Sequence, residues 1–313
     1  MKALFTYDYG KEKMESIKNL GYDVMIVDEK TIEYSQEMED VEVLVCYNPF
    51  NTLDISKMPN LKWIQLSSIG IDQLPKEVSV EKGILVTNNK GGYSIPMGEW
   101  ILLKILEIYK ESYKLYQQQQ QKKWKMNTNL LELYRKRIGF IGTGSIATES
   151  AKRLQGFEAH VIGVNTKGTK VQYFDKCYAI DKLDEVLGEC DVVVLTIPYT
   201  SATHHLINKE RLNSMKKDAV LINVSRGSII DEDALIQHLK EGNLLGAALD
   251  VFEKEPLPAD SPLWEMDRVL VTPHTSWISE MRNERRFRII YENMKRYIEK
   301  ESLFNQVDIV KGY

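Results

Sequence analysis

Short apolar runs recur along the chain, separated by stretches whose apolar positions follow a helical period. In the first part these runs predict strands over residues 2–6, 23–27, 41–46, 61–66 and 84–87. A helix is predicted over 11–20, stopped by Gly21, a residue suited to a left-handed cap. Strands spaced by helical patterns predict βαβ units and parallel pairing. From Ser94 the pattern changes. Trp100, Leu103, Ile105, Leu106 and Ile108 predict one long helix from residue 94 to about 120, its end solvated through Gln117 to Gln121. Residues 122–133 are polar and read as loop. A second series then predicts strands over 137–141, 159–164, 177–179, 192–196, 219–223, 246–250 and 269–272, enough for a complete doubly wound sheet. Past Pro273-His274 a final helix is predicted over about 279–300, followed by a short tail.

Composition narrows the class. The 313 residues suit about two domains. With 43 % hydrophobic and 27 % charged residues the chain has globular composition, which argues against disorder. The balance of 41 Lys+Arg against 45 Asp+Glu gives a net charge of −4. No cationic excess exists to neutralise phosphates, so no nucleic-acid partner is expected. No apolar stretch is long enough to span a membrane, and the first residues turn polar by Thr6-Tyr7-Asp8, so neither an anchor nor a signal peptide is expected. Cys46, Cys177 and Cys190 are too few and scattered for a disulfide framework or a Cys-rich zinc site. They read as buried or neutral thiols of a cytoplasmic protein.

The strongest local motif is Gly142-Thr143-Gly144-Ser145-Ile146-Ala147, which directly follows the predicted strand Ile138-Gly139-Phe140-Ile141 and opens a helix. This is a G-x-G-x-x-(G/A) turn in the strand–turn–helix context that dinucleotide binding requires. Gly142 allows the tight turn, Gly144 leaves room for a pyrophosphate, and Ala147 lets helix and strand pack closely. The helix start supplies N–H donors to the phosphates. The next strand ends in Asn165-Thr166-Lys167, where an NAD-specific site would carry Asp or Glu for the ribose hydroxyls. No carboxylate repels a 2′-phosphate there, and amide, hydroxyl and ammonium donors could bind one. The expected cofactor is NADP or NAD, with NADP favoured.

Five histidines are present, and His160, His204, His205 and His238 read as structural or solvent-facing. His274 differs, because it follows a predicted strand directly, at the edge where open α/β sheets bind ligands. Arg226, in Asn223-Val224-Ser225-Arg226-Gly227, and Glu255, before Pro256, follow two further strands. Three ionisable residues at three strand ends, beside a dinucleotide turn, make a candidate acid–base constellation.

These ordered blocks, with Ala248-Leu249-Asp250-Val251-Phe252-x-x-Glu255-Pro256 and Pro273-His274-Thr275-Ser276, resemble the D-isomer-specific 2-hydroxyacid dehydrogenase family over nearly the whole chain. The segment Ser67-Ser68-Ile69-Gly70-Ile71-Asp72 is similar to that family's substrate loop. The resemblance implies an α/β protein of two Rossmann-like domains with doubly wound parallel sheets. Residues 1–94 plus 277–313 would form a discontinuous substrate domain and 95–276 the dinucleotide domain. It implies hydride transfer between a nicotinamide and a 2-keto or D-2-hydroxy acid. Arg226 would anchor the substrate, His274 would be the general acid/base, and Glu255 would orient His274 and favour its proton-bearing form, with no metal needed. Gly142, Thr143, Gly144, Ser145, Ile146, Asn165, Thr166, Lys167, Pro198 and Asp250 would bind the cofactor. Ser68, Ile69, Gly70, Tyr47 and Trp277 would line the substrate pocket, the aromatic pair suiting a small or planar acid such as glyoxylate or hydroxypyruvate. The family is typically homodimeric, and no regulatory extension of the kind in long phosphoglycerate dehydrogenases is expected. The family also includes corepressors, so a non-enzymatic nucleotide sensor is the alternative.

Overall fold

The computed structural model describes residues 1–312 and divides into two compact units. One comprises Met1–Tyr93 and the chain from Ser279 onward; the other is the continuous stretch Ser94–Ile278.

The first unit is built on a parallel five-stranded sheet of β1 (Lys2–Phe5), β2 (Asp23–Ile26), β3 (Val41–Cys46), β4 (Trp63–Leu66) and β5 (Leu85–Thr87), in the order β2-β1-β3-β4-β5. Alternation along the strands splits the core in two. Leu4, Leu44, Ile64 and Leu66 pack on one side with Ile55 and Met58. Ala3, Phe5, Val43, Val45 and Trp63 face the other, against Met14 and Ile17 of helix Lys11–Asn19 and Phe287, Ile290 and Met294 of helix Arg282–Glu299. A buried polar chain pins that last helix. Trp63 Nε1 donates to Thr87 Oγ1 at 2.9 Å, and Thr87 Oγ1 donates to Gln65 Oε1 at 2.9 Å. Asn293 Nδ2 donates to the same Gln65 oxygen at 2.8 Å, while Asn293 Oδ1 accepts from the Phe304 amide at 2.7 Å.

The second unit holds seven parallel strands: β6 (Arg137–Ile141), β7 (His160–Asn165), β8 (Lys176–Ala179), β9 (Val192–Leu195), β10 (Ala219–Asn223), β11 (Leu244–Leu249) and β12 (Val269–Val271). Their order, β12-β11-β10-β9-β6-β7-β8, reverses direction between β6 and β9, which is the switch point where such sheets bind ligands. Every residue of β9 and β10 is buried, as expected of parallel strands covered on both faces.

The single helix predicted over residues 94–120 is instead two, Ser94–Tyr109 and Ser112–Gln120. The break has no glycine or proline. Glu111 adopts a left-handed φ of 47° and its carboxylate accepts from Lys114 and Asn127, both at 2.8 Å. The Leu131 amide donates to Tyr109 O at 3.0 Å and Lys110 Nζ to Leu131 O at 2.6 Å. The returning loop thus takes over the Tyr109 carbonyl that a continuous helix would have used. No helix among the described residues is long and apolar enough to cross a membrane.

Candidate active site

The glycine turn sits at the switch point. Gly142 leaves β6 with φ +96°, and a Cβ there would lie 2.8 Å from Thr196 O, so the turn requires glycine on both conformational and steric grounds. At Gly144 nothing lies within 4 Å of where a Cβ would be. The helix it opens, Ser145–Leu154, has no side-chain cap, and its first backbone bond of the helical ladder is Thr148 N to Gly144 O. The amides of Ser145, Ile146 and Ala147 therefore precede that ladder, beside open space and at the positive end of the helix dipole. Ala147 and Ala151 are fully buried. An open glycine shoulder and uncapped amides fit a dinucleotide pyrophosphate.

Asn165, at the end of β7, has both ends of its side chain engaged. Its Nδ2 donates to Thr143 Oγ1 at 3.1 Å and to Thr169 O at 2.8 Å, and its Oδ1 accepts from the amides of Lys167 and Thr169. Asn165 thereby shapes the 165–169 turn and ties it to the glycine loop, and the Thr166 and Lys167 side chains beside it are exposed. Pro198, beyond β9, is exposed, and its carbonyl accepts from Thr203 Oγ1 at 2.9 Å.

Arg226, Glu255 and His274 follow the C-terminal ends of the neighbouring strands β10, β11 and β12. His274 Nδ1 lies 2.9 Å from Glu255 Oε2, and Glu255 Oε1 accepts from the Phe252 amide at 3.1 Å. Burial pushes the Glu255 carboxyl up, but the bonds from His274 and Phe252, with the charges of His274 and Arg226, outweigh it and hold the carboxyl below its ordinary value. The Arg226 backbone is held by Asn223 Nδ2, which donates to its carbonyl at 2.9 Å.

His274 has a left-handed φ of 52°, unusual for a non-glycine residue. Asp250, wholly buried, holds that conformation. Its Oδ1 accepts from Thr272 Oγ1 at 2.5 Å and the Thr275 amide at 2.8 Å, its Oδ2 from the Ser276 amide at 2.9 Å, and its carbonyl from the His274 amide at 2.9 Å. Trp277 Nε1 donates to His274 O at 2.8 Å. The histidine is thus aimed from both sides of the chain. Sequence reasoning placed Asp250 with the cofactor and did not see this bracing of the His274 loop, whose donors lie 22 to 26 residues away.

In the other unit, the loop after β4 has its carbonyls engaged. Tyr93 Oη donates to Ser67 O, the Asn89 amide to Ser68 O at 2.8 Å, Asn88 Nδ2 to Ile69 O at 2.8 Å and Ser68 Oγ to Gly70 O at 2.8 Å. The Ile69 and Gly70 amides have no acceptor among the described residues. Such adjacent amides suit an anion. Tyr47 is exposed, and its carbonyl accepts from Gln73 Nε2 at 2.9 Å.

Residues 102–276 match the model of the D-isomer specific 2-hydroxyacid dehydrogenase NAD-binding domain. The chain belongs to the D-isomer-specific 2-hydroxyacid dehydrogenase family. A glyoxylate reductase of Thermofilum pendens is 36 % identical over 259 residues, covering 77 % of this chain and 74 % of that one. A D-3-phosphoglycerate dehydrogenase of Methanocaldococcus jannaschii is 31 % identical over 99 % of this chain but 60 % of its own length. A solved family structure from Xanthobacter autotrophicus, in complex with NADPH and MES, is 28 % identical with a TM-score of 0.83, covering 100 % of this chain and 99 % of that one. This dehydrogenase family uses NAD(P), and the two-sheet α/β fold expected from the sequence is the fold of its solved members.

Proposed function

We propose that this dehydrogenase reduces a small 2-keto acid with NADPH. The observation that carries the reading is the 2.9 Å pairing of Glu255 with His274 at the ends of adjacent strands, with Arg226 close enough to depress the Glu255 carboxyl. A dinucleotide held through its pyrophosphate by the 142–147 turn would supply the hydride from its nicotinamide. Arg226 anchors the substrate carboxylate through a guanidinium that stays charged at working pH. His274 donates a proton to the carbonyl oxygen from Nε2, because its Nδ1 is turned toward Glu255, and takes it back in the oxidative direction. Glu255 accepts from Nδ1 and so fixes the imidazole tautomer. Asp250 and Trp277 hold the backbone so that the ring keeps its direction. Ser68, Ile69, Gly70 and Tyr47 are assigned as substrate contacts on the strength of the two unengaged amides.

The NADP preference rests on the absence of a carboxylate at residue 165 and on the exposed Thr166 and Lys167 of the turn that Asn165 builds. The named activities of relatives and the bulk of Trp277 support glyoxylate or hydroxypyruvate as substrate. The test is a panel of glyoxylate, hydroxypyruvate, phenylpyruvate and 2-ketoisocaproate with NADPH and NADH, in the wild type and in H274Q and K167E. The expected result is turnover of the small acids, a higher KM for NADH than for NADPH, reversal of that order in K167E, and loss of about 10² or more of kcat in H274Q. Preference for the branched acid would reject the substrate, preference for NADH the cofactor, and full activity of H274Q the catalytic assignment.

A further inference from the structure

His205 stands outside the residues assigned above, yet it touches the loops that carry two of them. It lies in the loop that follows β9. Its amide donates to Ser228 O at 2.8 Å, two residues past Arg226. Its ring Nε2 lies 2.6 Å from Glu253 Oε1, two residues before Glu255. The Glu253 amide in turn donates to Glu232 Oε2 at 3.2 Å, at the start of helix Glu232–Lys240. The Arg226 and Glu255 loops are pressed together beneath this contact, since a Cβ on Gly227 would sit 1.8 Å from the Phe252 carbonyl carbon. One residue therefore ties the loops after β9, β10 and β11.

His205 makes these contacts from a left-handed backbone, φ 48°, which disfavours any side chain. Its ring is further fixed by His204, stacked at 3.9 Å, with Tyr199 edge-on to His204 at 6.0 Å. Among the described residues, no three His, Cys, Asp or Glu side chains are placed to hold a metal, so the cluster is not read as an ion site. An ordinary surface pair would do little. This one differs in joining an otherwise disfavoured backbone to the segment that delivers the Glu255 carboxylate.

We propose that the His205–Glu253 pair is a positioning clasp that sets Glu255 toward His274. The inference rests on the catalytic reading above. The charged and titratable groups around the clasp are His204 on its own loop, Glu253 from the β11 loop, Glu232 and Asp233 from the helix, and Arg226 and His274 around Glu255. Loosening it leaves Glu255 less well placed to favour the proton on His274. The proton donor is then lost at lower pH.

The test measures kcat and KM of keto-acid reduction from about pH 5 to 9 in the wild type, H205G, E253A, E253Q and H274Q, with thermal melting of each. H205G removes the ring but suits the left-handed backbone, so it separates the contact from the strain. In H205G and E253A, kcat is expected to fall about tenfold with both KM values within about twofold, and the basic limb of the profile to move down by about half a pH unit. E253Q keeps an acceptor for the ring and is expected to retain the wild-type limb. An unmoved limb in H205G and E253A overturns the clasp, even if kcat falls, because a purely structural role would lower activity without moving the limb. If H205G fails to fold, E253A gives the same reading. Should H274Q retain full activity, the catalytic reading falls and the clasp with it. Should H274Q be inactive and H205G unchanged, only the clasp falls.

Discussion

Glu255 accepts from His274 and from the Phe252 amide, and these bonds overcome the burial that would otherwise raise its carboxyl. An unfolded Glu titrates near 4.3, so between that value and the lower folded one the unfolded chain binds more protons. The stabilisation is complete above the unfolded value and is lost as pH falls through the folded one. Glu255→Gln is therefore expected to flatten the rise of Tm with pH on the acid side of the unfolded value, which scanning calorimetry reads directly. An identical slope in both proteins would show that the pairing contributes nothing to folding. The placement of Arg226, Glu255 and His274 at neighbouring strand ends was legible in the sequence because each follows a predicted strand in an ordered motif. Asp250 and His205 were not, since what each does is set by partners distant in the chain: Thr275 and Ser276 for one, Ser228 and Glu253 for the other. The two histidines His204 and His205 looked alike in sequence, and the contact to Glu253 and the left-handed backbone set His205 apart.

At the scale of elements, periodicity located each of the twelve strands among the described residues, because each has an apolar run of its own. It missed the break between Tyr109 and Ser112, where local residues favour continuing the helix and the groups that end it, Asn127 and Leu131, arrive from a later loop. The final helix raises a related issue, because its mostly polar sequence hides a buried asparagine. Asn293 is fully buried, donating to Gln65 and accepting from the Phe304 amide. Asn293→Leu leaves that amide and one Gln65 lone pair without a partner in the interior. A cost of about 2 to 4 kcal/mol is expected for the two groups together. Urea unfolding followed by circular dichroism measures it, with Asn293→Asp as the comparison that keeps an acceptor for Phe304. A loss below about 0.5 kcal/mol would mean that water or a rearranged side chain satisfies those groups.

For the whole molecule, the pattern of apolar runs predicts two parallel sheets but says nothing about which sheet the last helix joins; the family resemblance supplied that expectation. The physical reason for its return lies in the first sheet, where Phe5, Val43, Val45 and Trp63 form an apolar face that helix Lys11–Asn19 covers only in part. Phe287, Ile290 and Met294 complete the cover. Burying three such side chains contributes about 5 to 9 kcal/mol, which is comparable to the net stability of an entire domain. Residues 1–93 alone are therefore expected not to fold, whereas residues 94–278, continuous and with a seven-stranded core of their own, are expected to fold and to bind NADPH. Joining 279–313 to residue 93 through a flexible linker should restore a cooperative transition to the first unit, since the linker changes connectivity and leaves the buried contacts intact. Far-ultraviolet circular dichroism and denaturant titration of the three pieces decide this. Cooperative folding of 1–93 by itself would show that the helix decorates a core already sufficient, and failure of 94–278 to bind NADPH would show that the dinucleotide turn depends on more than its own sheet.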